Sequence, residues 1–142
     1  MFLFGKLTKR LAAKPKLIFL IDGIGAAVSA FFLGIVLTAF ERFFGMPKCI
    51  LTPLSFVALI FAVYSLCCYF FARRNWPRLL FLIGVLNVIY CLFTSAFLLQ
   101  FLNQLSAIGV TYFIFEILII LTLASIELRI CSVLGQESEE LL

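Results

Sequence analysis

Apolar residues along this chain come in four long runs rather than in alternation, and short polar stretches separate them. The runs cover Leu17–Phe40, Ile50–Ala72, Leu79–Phe101 and Gly109–Ile126. Each is close to the roughly 20 residues that an α-helix needs to cross a hydrocarbon core about 30 Å thick. Unpaired backbone groups cannot face lipid, so spans of this kind in an open chain are helices. The connections Glu41–Cys49, Arg73–Arg78 and Leu102–Ile108 are short, which makes successive helices antiparallel neighbours. The pattern predicts an all-α, four-helix transmembrane up-down bundle over residues 17–130. A basic segment, 1–16, precedes it and an acidic tail, 131–142, follows.

Composition agrees with a lipid solvent. A soluble domain is about half apolar and about a quarter charged; here 65% of residues are hydrophobic and 13% charged, with a mean hydropathy of +1.22. Four spans use most of the 142 residues and leave none for a soluble catalytic domain. The chain has no histidine, and its methionines are Met1 and Met46. A haem, a zinc site or a histidine base therefore lacks its usual ligands, and we expect no metal and no cofactor. The five cysteines, Cys49, Cys67, Cys68, Cys91 and Cys131, form no CxxC pair. That argues against a disulfide-rich secreted domain and against a thiol-cycling membrane oxidoreductase. Tyr64, the carboxylates and the cysteines form no nucleophile and base spacing, so an enzyme is not expected.

Charge sets the expected orientation. The net charge is +4, but the basic residues flank apolar runs, which is a topology signal and not a nucleic-acid surface. Lys6, Lys9, Arg10, Lys14, Lys16, Arg73, Arg74, Arg78 and Arg129 fall on one side of the bundle and Arg42 and Lys48 on the other. Nine against two predicts both termini in the cytoplasm. The bias also argues against the dual-topology dimers of small multidrug exporters and fluoride channels. Trp76, among Arg73, Arg74 and Arg78, is an interfacial anchor. Leu3, Phe4, Leu7 and Leu11 share a helical face beside five basic residues, which reads either as an amphipathic helix on the anionic leaflet or as a plain positive flank. Val28-Ser29-Ala30 resembles a signal-cleavage site, but Asp22 interrupts the early apolar run and the run continues to Phe40, so an uncleaved first span is expected.

Ionisable groups inside a span are costly and mark candidate sites. Asp22 lies about five residues into the first run, roughly 8 Å deep, and Glu116 about eight residues into the fourth, roughly 12 Å deep. Glu127 stands near the end of the fourth run. Gly109, Tyr112, Glu116, Leu123 and Glu127 share one face, since eleven residues make three turns. In the third run Gly84, Asn87, Cys91, Thr94 and Ser95 fall within an arc of about 100°. Tyr64 of the second run and Asn87 are near the depth of Glu116, so a cluster of Tyr64, Asn87 and Glu116 is a geometric option. Ordinary interhelical hydrogen bonding, worth about 0.6–2 kcal/mol each, is the alternative for all of these groups. Gly23, Ala27, Ala30 and Gly34 form a small-residue stripe suited to close helix packing. Glu41 and Arg42 read as an exposed ion pair, and Phe43-Phe44-Gly45-Met46-Pro47 as aromatic anchoring and a turn.

The segments Phe19-Leu20-Ile21-Asp22-Gly23-Ile24-Gly25-Ala26 and Phe40-Glu41-Arg42-Phe43-Phe44-Gly45-Met46-Pro47 resemble parts of small four-helix bacterial integral membrane proteins of unknown function. The resemblance implies a bundle in the bacterial inner membrane and no particular activity. Two functions remain open to the sequence. One is a non-enzymatic protein that assembles as a homo-oligomer or with a membrane-protein partner through the stripe around Asp22. The other is a proton- or cation-coupled transporter or pore that uses Asp22 and Glu116.

Overall fold

The computed structural model describes residues 3, 5, 6, 9, 10, 14–71 and 76–140. Helix α1 (Pro15–Phe31) passes through a π-helical turn, Phe32–Val36, into the short α2 (Leu37–Ala39). A single turn, α3 (Glu41–Phe44), leads to α4 (Lys48–Phe71), followed by α5 (Trp76–Gln100) and α6 (Ala107–Glu140). Four stretches are long and apolar enough to cross a membrane: Lys16–Ala39, Lys48–Phe71, Trp76–Gln100 and Ala107–Val133. The chain is thus built as a multi-pass transmembrane helical bundle. Because the number of spans is even, the described terminal residues share one end with the connection between α4 and α5, and the other two connections form the far end.

The first three spans match the expected runs to within a few residues, and the fourth does not. Glu127 fails to end it because that side chain turns into the bundle, with 0% of its surface exposed. The helix then continues through residues 131–140 of the expected acidic tail. In the basic segment, residues 3, 5, 6, 9 and 10 are helical. Phe4, Leu7 and Leu11 of its proposed apolar face lie outside the described residues, as do Arg73 and Arg74.

Several helix ends have a local cause. Proline stands at the first turn of α1, where its missing N–H is no loss. The Glu41 carboxylate accepts the Lys48 backbone N–H at 3.1 Å and stands 3.8 Å from its ammonium. The exposed ion pair expected for Glu41 is therefore made with Lys48, not with Arg42, and contributes little. Ser106 starts α6 by accepting the Gly109 N–H on its hydroxyl at 3.2 Å.

The π-helical turn leaves carbonyls in need of donors, and side chains supply them. The Leu37 N–H reaches back five residues to the Phe32 carbonyl. Thr38 Oγ1 donates to the Leu33 carbonyl at 2.9 Å, and Ser55 Oγ of α4 donates to the Ala30 carbonyl at 3.0 Å. Gly34 sits within this turn, where a Cβ would meet Ser55 Oγ at 2.5 Å. The widened turn is therefore also a close approach of the first span to the second.

The bundle is two tight hairpins laid together. The first span packs along the second and the third along the fourth, and the hairpins meet each other much less extensively. Two apolar clusters fill the interior. Near the termini, Ile18, Phe19, Cys68, Leu80, Ile83, Ile126 and Ile130 pack together. Toward the far end Leu33, Leu37, Met46, Leu51, Leu98 and Phe113 do the same, and Phe61 touches both. Met46, expected only as part of a turn, is a fully buried plug.

A clasp joins the far-end loops. The Ser106 N–H and hydroxyl both donate to the Phe44 carbonyl, at 3.1 and 3.3 Å. Gly45 caps α3 with φ +84°, and a Cβ there would lie 2.2 Å from the Gln104 carbonyl oxygen. At Gly109 a Cβ would lie 2.3 Å from the Phe44 oxygen. Only glycine lets these two loops touch through their backbones.

Candidate functional site

Between the two apolar clusters lies a layer of polar side chains contributed by all four spans. Asp22 from the first span, Ser65 from the second, Asn87 from the third and Glu127 from the fourth are each at most 5% exposed. Asp22 Oδ2 accepts a hydrogen bond from the Ser65 hydroxyl, and Asp22 Oδ1 accepts the Asn87 amide at 3.0 Å. The same Asn87 nitrogen donates to Glu127 Oε2 at 3.3 Å. A single amide thus bridges carboxyls that belong to different hairpins. The antiparallel spans explain the meeting: Asp22 is six residues from Lys16 and Glu127 six from Val133, at the same end of the bundle. Two neighbouring carboxyls in a dry layer repel if both are charged, and one proton between them turns the repulsion into a hydrogen bond.

Glu116 occupies a different environment, one layer farther from the termini. Its Oε1 accepts from the Tyr90 hydroxyl at 3.4 Å, a long bond, and Oε2 makes none although the residue is only 6% exposed. Ser29 of the first span stands beside the carboxyl. These groups face a cavity of about 310 Å³ between the hairpins. Its wall is mostly apolar, with Phe32, Phe61, Phe115, Tyr90 and Tyr112 supplying rings. Asp22 and Asn87 reach the floor of the cavity, whereas Glu127 lies behind them. Val28 of the first span and Phe115 and Ile119 of the fourth flank its opening and are 50%, 63% and 57% exposed. On a membrane-spanning bundle such faces meet lipid, so the opening is lateral.

Of the five polar candidates, Asp22, Asn87 and Glu127 come together, and Glu116 lines the adjoining cavity. The cluster of Tyr64, Asn87 and Glu116 does not form. Tyr64 instead donates to the Leu79 carbonyl at 3.1 Å, close to the start of α5. Depth counted along the helix locates a Cα and ignores the length of a tyrosine, whose hydroxyl here reaches toward the terminal end. The third-span stripe is correct in kind: Gly84, Asn87, Cys91 and Thr94 are buried and Ser95 half-buried. On the fourth span Gly109, Glu116 and Glu127 are buried and Tyr112 and Leu123 half-buried.

The small-residue stripe packs within the chain. A Cβ on Gly23 would approach Leu66 of the second span at 3.0 Å, and Gly34 faces Ser55. Ala30 is buried, whereas Ala27, on the rim of the stripe, is exposed. Ser65, Tyr90 and Ser29 belong to the site and were not singled out from sequence. A serine at the depth of Asp22 was the available signal for Ser65. Compared with protein-family models, with curated proteins and with solved structures, the chain shows no match. What the site does is therefore argued from its own geometry.

Proposed function

We propose that this protein is a proton- or cation-coupled carrier of the bacterial inner membrane, with both termini cytoplasmic, and that its working site is the cavity beside Glu116. The observation that carries this reading is a buried carboxyl, one of its oxygens unbonded, on a residue that lines a laterally open cavity, while a second pair of carboxyls, able to share a proton, adjoins the same cavity through Asp22. Carboxyls inside a span commonly serve as ion or proton sites, and here a proton held by one group and a cation held near another compete for the same negative charge. The orientation follows from the nine basic residues on the terminal side against two at the far end. Assembly with another chain, the role suggested by the stripe around Asp22, would need a different surface, because Leu66 and Ser55 fill that one.

The test is uptake of labelled sodium, rubidium and ethidium into proteoliposomes with an acidic lumen. The reading requires that at least one probe accumulates while the proton gradient lasts, and that Glu116→Gln abolishes the accumulation. Uptake no greater than in protein-free liposomes, for all three probes, would overturn it.

A further inference from the structure

The cavity also carries the chemistry of its occupant. We infer that it binds an apolar organic cation, a quaternary or protonated amine with hydrocarbon or aromatic substituents, which enters sideways from the bilayer. The inference rests on the carrier reading only for the choice of site.

Three features select this class. The first is the charge partner: Glu116 lines the cavity, is buried, and holds one carboxyl oxygen, Oε2, that makes no hydrogen bond. An empty acceptor in an apolar wall favours a ligand that brings positive charge or a donor. The second is the wall itself. Aromatic rings from all four spans surround the space, with Phe61 and Tyr90 in edge contact at 5.9 Å between centroids and Phe32 and Tyr112 tilted against each other at 6.1 Å. Aromatic faces attract weakly hydrated cations, most strongly where water is excluded, whereas a small inorganic ion needs a cage of oxygens that these rings do not supply. The third is access. The mouth lies between the first and fourth spans, which barely touch each other, and its rim is Val28, Phe115 and Ile119. A ligand that arrives there has already partitioned into lipid. At about 310 Å³ the space is at the small end of ligand cavities, so one compact amine fills it.

The acid also makes occupancy depend on protons. Protonation of Glu116 removes the charge partner, so a permanent cation binds better at alkaline than at acid pH. The titratable groups around Glu116 are Tyr90 and Cys91 of the third span, Tyr112 of its own span and Asp22 of the first, which reaches the same cavity.

The test is equilibrium binding of radiolabelled benzyltrimethylammonium to the full chain in lipid nanodiscs, with neopentylbenzene, its neutral isostere, as competitor. We expect saturable binding that weakens at acid pH, that falls about tenfold or more in Glu116→Gln, and that the isostere displaces poorly. Ala26→Phe, which places a ring in the cavity from the first span, should abolish binding while helicity and elution volume are retained. Absence of saturable binding by the folded wild-type chain would overturn the inference. So would binding unchanged in both variants, or equal displacement by the isostere. Binding without proton-driven uptake would leave this inference standing and remove the carrier reading; uptake of sodium or rubidium without binding would do the reverse.

Discussion

The two acidic regions of this bundle lie one layer apart and differ in what surrounds them. Around Asp22 and Glu127 four spans contribute and a single Asn87 nitrogen serves both carboxyls, although Glu127 Oε1 makes no hydrogen bond. Around Glu116 the carboxyl also has one long hydrogen bond and one oxygen with none, but here the residue lines a cavity. The first arrangement ties two hairpins together where they otherwise make limited contact. The second leaves interaction energy unrealised inside the protein, which is what a binding site requires. Buried acids in a membrane are therefore not one category, and the difference lies in whether their neighbours leave a vacancy.

That contrast can be broken by stability measurements in detergent. The largest effect should come from Asn87→Leu, which removes the donor shared by two buried carboxyls; thermal unfolding should show a loss of about 3 kcal/mol. A loss under about 0.5 kcal/mol would mean that the hairpins do not depend on the layer. Next, Glu127→Leu should cost about 2 kcal/mol, since it puts an apolar side chain among groups that need partners. Glu116→Leu should instead be neutral or stabilising by about 1 kcal/mol, because it fills space beside the cavity and leaves no shared amide without its acceptor. If the two leucine variants shift the unfolding midpoint alike, the distinction between the acids fails. Ser65→Ala should cost about 1 kcal/mol through the Asp22 oxygen it leaves bare. Tyr90→Phe, which gives up only the long bond to Glu116, should cost about 0.5 kcal/mol or less on the same scale.

Sequence patterning located the spans because bilayer thickness and backbone satisfaction leave helices few choices. It also grouped Glu116 and Glu127 on one face of the fourth span and put Asn87 in a stripe of the third, and all three are buried. It did not pair residues across helices. Asp22 finds Glu127 because the first and fourth spans bring equal lengths to the same end, and Tyr64 is lost to Leu79 because a phenol extends well beyond its Cα. The apolar run of the fourth span stops at Ile126, one residue before Glu127. Burial of Glu127 shows that charge ends a span only where the side chain has no internal partner. The small-residue stripe marked a close approach correctly, but composition cannot say whether the neighbour is another subunit or the next helix of the same chain.

The clasp of Phe44 and Gly45 against Gln104, Ser106 and Gly109 has a consequence for how the chain can vary in length. Both far-end loops are fixed by backbone contacts that admit no Cβ, so an inserted residue in either displaces the other. The last described helix carries no such constraint at its C-terminal end, since through Glu140 it has already left the apolar stretch that ends at Val133.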